Sequence, residues 1–134
     1  MIVADFLHEL FAEGVTAEIK EGKLAFQLPS NDFQLPEEAK QKIHELKPKI
    51  LQRVQQNNYM ENEKWLIHNF GCYYTKRVKY SQEYFMQRIG HDRFLISVYF
   101  NYKPPRESGY KQISFNDFQR YGENIFNDLR YRKK

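Results

Sequence analysis

Between Val15 and Leu28 the chain alternates, turns and alternates again. Val15, Ala17 and Ile19 interleave with Thr16, Glu18 and Lys20, and Leu24, Phe26 and Leu28 interleave with Lys23, Ala25 and Gln27. Glu21-Gly22 stands between the two runs. A period of two on both sides of a Gly-containing dipeptide predicts a β-hairpin. Each strand has one apolar and one polar face, so one side of the ribbon must be covered. Two strands alone are not stable in water, which makes the flanking segments part of the same unit.

Those flanks carry helical spacing. Val3, Phe6, Leu7, Leu10 and Phe11 place an apolar stripe on a helix from Val3 to Glu13, and Gly14 follows as a left-handed stop. Pro29-Ser30-Asn31-Asp32 reads as a loop. A second helix is expected from Pro36, with Glu37 and Glu38 at the positive end of its dipole and Ala39, Ile43 and Leu46 on its inner face. Pro48 is expected to break or kink it. Ile50, Leu51 and Val54 then carry a short third helix. The expected order is α-β-β-α-α.

Leu7, Leu10, Gly14, Val15, Glu21-Gly22-Lys23-Leu24, Phe26, Leu46, Lys47, Ile50 and Leu51 together resemble the TubC-type N-terminal docking domain of nonribosomal peptide and polyketide synthetase subunits. The resemblance covers Val3 to Val54. It implies capture of a short partner peptide that adds as a strand beside the hairpin, with affinity from backbone hydrogen bonds and specificity from side chains. The candidate partner-binding residues are Thr16, Lys20, Lys23, Phe26 and Lys49. The three lysines are chosen on charge alone, to meet an acidic peptide. Segments of this kind also occur in plasmid and prophage proteins. An ordinary structural subdomain is the plainer alternative.

The remainder differs in charge. Residues 1–59 hold 7 Lys/Arg against 9 Asp/Glu, and residues 60–134 hold 14 against 8. This predicts two modules, 1–56 and 57–134, with different partners. Gln55-Gln56-Asn57-Asn58 reads as the linker. Cys72–Val78 has strand composition, Glu83–Ile89 is read as a strand, Gly90-His91-Asp92 as a turn, and Arg93–Tyr102 as the clearest strand. Lys103–Gly109 is a loop. Ser114 is the expected N-cap of a last helix from Phe115 to Arg130, with Gly122 inside it as a close helix–sheet contact. The fold class is α+β: the docking-like module, then a small antiparallel sheet with a packed C-terminal helix.

Chemistry is sparse. The four histidines and single cysteine have no metal-ligand spacing, there is no phosphate-binding glycine loop, and Cys72 has no adjacent base. No cofactor, metal or enzymatic step is expected. With 41% hydrophobic residues, no membrane-length apolar run and no leader-like start, a cytoplasmic protein is expected. The leading function is a non-catalytic adaptor or regulator that captures a protein partner. The alternative is a nucleic-acid-associated protein of a plasmid or phage, or an inhibitor of a host nuclease. It would use Tyr74, Lys76, Arg77, Lys79, Lys103 and Arg106, from two segments where tyrosines and cations crowd together: Tyr73, Tyr74, Lys76, Arg77, Lys79 and Tyr80, then Tyr99, Tyr102, Lys103, Arg106 and Lys111. Against it stands the reading that these tyrosines line a β core while the cations snorkel.

Overall fold

The structure, a computed structural model, describes residues 2–79, 82–90, 92–100 and 110–131. Its elements are α1 (Ile2–Ala12), β1 (Thr16–Lys20), β2 (Lys23–Gln27), α2 (Glu37–Asn62), β3 (Leu66–His68), a turn at Asn69–Gly71, β4 (Tyr73–Lys79), β5 (Gln82–Gly90), β6 (Arg93–Phe100), β7 (Tyr110–Ile113) and α3 (Phe115–Tyr131). The fold is α+β, with β1 and β2 in one sheet and β3 to β7 in an antiparallel meander. The chain divides into two compact units: Met1–Tyr59 with Asn69–Gly71, and Met60–His68 with Cys72–Lys134.

In the first unit α1 ends where Gly14 sets it. The amide of Val15 donates to the Leu10 carbonyl at 2.9 Å and that of Gly14 to Phe11 at 2.9 Å. This is a Schellman turn, and Leu10 and Val15, the two residues it brings together, are both buried. They join Phe6, Leu7, Ile50 and Val54 in the core, against which Ala17, Ile19, Leu24 and Phe26 of the hairpin pack their side chains. Burial of each large apolar side chain contributes about 1.5–3 kcal/mol.

α2 corrects the expected helix boundaries. It runs through Pro48 and through Gln55–Asn58 without interruption. Pro48 and His44, whose carbonyl Pro48 leaves without its usual donor, are both exposed, so the missing bond falls on the solvent side of the helix while Ile50 and Val54 bury on the other side. The segment read as a linker holds Gln56, which is buried, and the helix goes on to the fully buried Met60. Arg53 and Asn57 are the polar members of this face. Arg53 Nη1 and Asn57 Nδ2 donate to the carbonyl of Phe70 at 3.1 and 3.2 Å. The Phe70 ring lies edge-on to His8 and Phe11 at centroid distances of 5.9 and 5.8 Å. Asn69 and Phe70 hold positive φ values of 49° and 55°, a conformation that costs a non-glycine residue about 1–2 kcal/mol.

In the second unit α3 lies on one face of the meander. Tyr84, Met86, Phe94, Ile96 and Val98 are buried there with Phe115, Phe118, Phe126 and Leu129; Tyr84 stacks on Phe126 at 4.1 Å and Phe94 meets Phe115 at 5.7 Å. Arg88 is buried on the same face, its guanidinium 4.6 Å from the Phe94 ring centre. Trp65 packs against Phe118 and Phe126, both at 5.7 Å. Ser114 caps α3 as expected, its Oγ accepting from Asp117 N at 3.2 Å. Asp92, read as a solvated turn residue, supplies a second cap: its Oδ1 accepts from Phe115 N at 3.2 Å. Gly122 is buried, and the nearest atoms to a Cβ there would belong to its own helix, with Phe118 Cδ1 at 2.9 Å.

Candidate functional site

The hairpin turn fixes which backbone groups face outward. Glu21 and Gly22 have φ values of 51° and 79°, the doubly left-handed pattern of a type I′ turn. A two-residue turn of this type closes on a hydrogen-bonded pair, here Lys20 and Lys23. Bonded and non-bonded pairs then alternate, so Glu18/Ala25 and Thr16/Gln27 are bonded, whereas Ile19/Leu24 and Ala17/Phe26 are not. The N–H and C=O groups of Ala17 and Ile19 therefore point away from β2, and those of Leu24 and Phe26 away from β1. Among the described residues, neither strand pairs with a third.

Side chains and backbone thus divide the work at four positions. Ala17, Ile19, Leu24 and Phe26 commit their side chains to the first core and turn their peptide groups to the rims. Phe26, expected as a partner-binding side chain, is partly buried in that core; what it offers outward is its peptide group. Thr16, Lys20 and Lys23 are exposed on the polar face. Lys20 Nζ lies 3.6 Å from Glu18 Oε1 on the same strand, an exposed pair that contributes little to stability. Lys49 is exposed on α2, a separate element. A cleft of about 420 Å³ also lies in this unit, with Phe6, Leu10, Phe33 and Leu35 among its lining and Glu9, Glu13 and Glu38 beside them. Lys42 lines it too, its Nζ 4.0 Å from Glu9 Oε2 and 5.6 Å from the Phe6 ring centre.

The residues proposed to meet nucleic acid do not form one surface. Tyr74 is fully buried on the α3 face, its hydroxyl accepting from Arg88 Nη2 at 3.2 Å, so it has no ring face for a base. Lys76 donates to the Glu63 carbonyl at 2.7 Å and stands 5.9 Å from the Trp65 ring centre. Arg77 is exposed on the opposite face, across from Glu83. Lys103 and Arg106 lie outside the described residues, as do Tyr80, His91 and Tyr102, and so does the Lys79 side chain.

The sequence places Tyr73 and Tyr99 among the crowded tyrosines and cations, but not the arrangement that the strand register gives them. On the sheet face away from α3, four rings form a diagonal column: His68 on Tyr73 (4.5 Å, 4° between planes), Tyr73 on Phe85 (5.5 Å, 22°) and Phe85 on Tyr99 (5.4 Å, 23°). Tyr73 and Tyr74 look like one cluster in the sequence, but neighbouring strand residues project to opposite faces. The signal that finds the column is the parity of Tyr73, Phe85 and Tyr99 once the strand register is known.

Among the described residues, no group of three or more His, Cys, Asp or Glu is placed to hold a metal ion, and no helix is long and apolar enough to cross a membrane. Cys72 is half-buried and forms no disulfide. Comparison of the chain with protein-family models, with curated proteins and with solved structures finds no match.

Proposed function

We propose that the first unit is a docking module in which a partner segment adds as a strand to one rim of the β1–β2 ribbon, and that the protein acts as an adaptor or regulator without a chemical step of its own. The observation that carries this reading is the pair of rims with no third strand among the described residues, on a ribbon whose apolar side chains are already used in the core. Unpaired strand edges are templates for another chain, and proteins usually shield them. Strand addition draws affinity from the main chain, which suits a site whose outward groups are peptides. The resemblance of Val3–Val54 to TubC-type docking units supports the same reading.

Amide hydrogen exchange on the full chain tests it before any partner is known. Ala17, Ile19, Leu24 and Phe26 are expected to exchange much faster than Glu18 and Ala25, because only the latter pair is bonded within the ribbon. A displayed peptide library then supplies ligands, and these should slow exchange at Ala17 and Ile19 or at Leu24 and Phe26. Ala17→Pro removes one outward N–H, and peptides that slow Ala17 and Ile19 should lose at least tenfold in affinity to it while the fold is kept. Slow exchange at all four outward amides in the free protein would mean that the rims are already paired, and the reading would fall.

A further inference from the structure

We propose that the sheet face of the second unit opposite α3 binds single-stranded nucleic acid, with the ring column His68–Tyr73–Phe85–Tyr99 as its stacking element. The inference does not rest on peptide docking, which concerns other residues.

The face is built unlike an ordinary outer sheet surface. Where one side of an antiparallel sheet meets a helix, the other is normally polar. Here all four rings of the column are half-buried rather than covered, and Leu66 and Ile89 on the same face are 64% and 46% exposed. The column is also held in place. His68 Nε2 and Thr75 Oγ1 share a hydrogen bond of 2.8 Å, and each inner ring is stacked on two neighbours. A base therefore extends the column at its ends, on the outer faces of Tyr99 and His68, while sugars lie along the ring edges.

Charge selects the occupant. Residues 60–134 carry 14 Lys/Arg against 8 Asp/Glu. On this face Arg77 and Arg93 are exposed, with Glu83 the acid among the described residues. The cross-strand row Arg77–Glu83–Tyr99 sets Arg77 two strands, roughly 10 Å, from Tyr99. That spacing lets a guanidinium hold the phosphate of a nucleotide whose base stacks on the Tyr99 ring. Gln87, opposite Tyr73 on β5, and Gln112, on β7, add exposed amide donors and acceptors to the same face. A protein partner would favour a core depleted of charge. Cations interleaved with rings are the composition of a single-strand binder.

The test is fluorescence anisotropy with the full chain, using labelled dT20 and rU20, a mixed 20-base-pair duplex for comparison, and 50–300 mM NaCl. Single strands are expected to bind more tightly than the duplex, with the logarithm of affinity falling about 0.7 per phosphate contacted for each decade of salt. Tyr99→Leu keeps an apolar side chain but removes the stacking face, and should weaken binding about tenfold. Arg77→Gln should reduce the salt slope by about 0.7. Tyr121→Ala, at an exposed ring on α3, should change nothing. If Tyr99→Leu fails to fold, judged by circular dichroism, the Arg77→Gln slope decides alone. No binding at 50 µM protein in 50 mM NaCl, preference for the duplex, or an Arg77→Gln slope equal to wild type overturns the proposal. So does a dimer, seen by sedimentation, that Tyr99→Leu or Arg77→Gln dissociates, since the face would then belong to a second copy.

Discussion

Two helices of this protein stop by the same device with different residues. At the end of α1 the amides of Gly14 and Val15 bond back to Phe11 and Leu10; at the end of α2 those of Lys64 and Trp65 bond back to Glu61 and Met60 at 3.0 and 2.9 Å. Both turns bring together two buried apolar residues, Leu10 with Val15 and Met60 with Trp65. The left-handed position is Gly14 in one and Lys64, at φ 70°, in the other. The difference lies in the surroundings. A Cβ on Gly14 would stand 2.9 Å from Pro29 Cβ, whereas Lys64 is exposed. Backbone strain alone is tolerated, and strain combined with crowding is not.

Substitutions separate the two costs. Gly14→Ala incurs both, and urea unfolding should record a loss of about 2–4 kcal/mol. Gly22→Ala meets strain only, since nothing stands within 4 Å of its Cβ position; a loss of about 1–2 kcal/mol is expected. A loss at Gly22 as large as at Gly14 would mean that Pro29 plays no part. Gly122→Ala meets crowding only. Phe118 cannot swing away easily, because Trp65, Phe115 and Phe126 surround it. Overpacking should outweigh the helix-propensity gain of about 1 kcal/mol, leaving a net loss of the order of 1 kcal/mol. A rise in thermal midpoint for this variant would show that the Phe118 ring gives way. Lys64→Gly relieves strain and should stabilise by about 0.5–1 kcal/mol, read as a small increase in melting temperature.

The same pair of helix ends explains what the sequence disclosed and what it hid. α1, the hairpin, β6 and α3 were legible because their apolar residues keep one period and their ends carry Gly14, Glu21-Gly22 and Ser114. The end of α2 was not, since Lys64 does not announce a left-handed residue. Its course was hidden for a second reason. Arg53, Gln56 and Asn57 take places where an apolar stripe would show, and two of them serve the Phe70 carbonyl, 17 and 13 residues further on. The average cost of a mid-helix proline predicts a break at Pro48, and the exposed helix face softens that cost. β3 and β7, of three and four residues, are too short to display a period. At the candidate sites, the rims of the ribbon followed from alternation and a turn. The ring column required a register across β3 to β6 that no local pattern encodes. The cap from Asp92 to Phe115 spans 23 residues and is equally invisible locally.

The two rims of the ribbon are not equivalent toward another molecule of the same chain. Consider antiparallel association about a two-fold axis, in the alignment that uses every outward peptide group of both molecules. Along β1, Ala17 would meet Ile19 and the two Glu18 carboxylates would confront each other, an unfavourable opposition. Along β2, Leu24 would meet Phe26 and the residues left face to face would be two uncharged Ala25 methyls. Self-recognition is thus discouraged on one border and unopposed on the other, which makes β2 the flank where molecules of one kind would first adhere at high concentration.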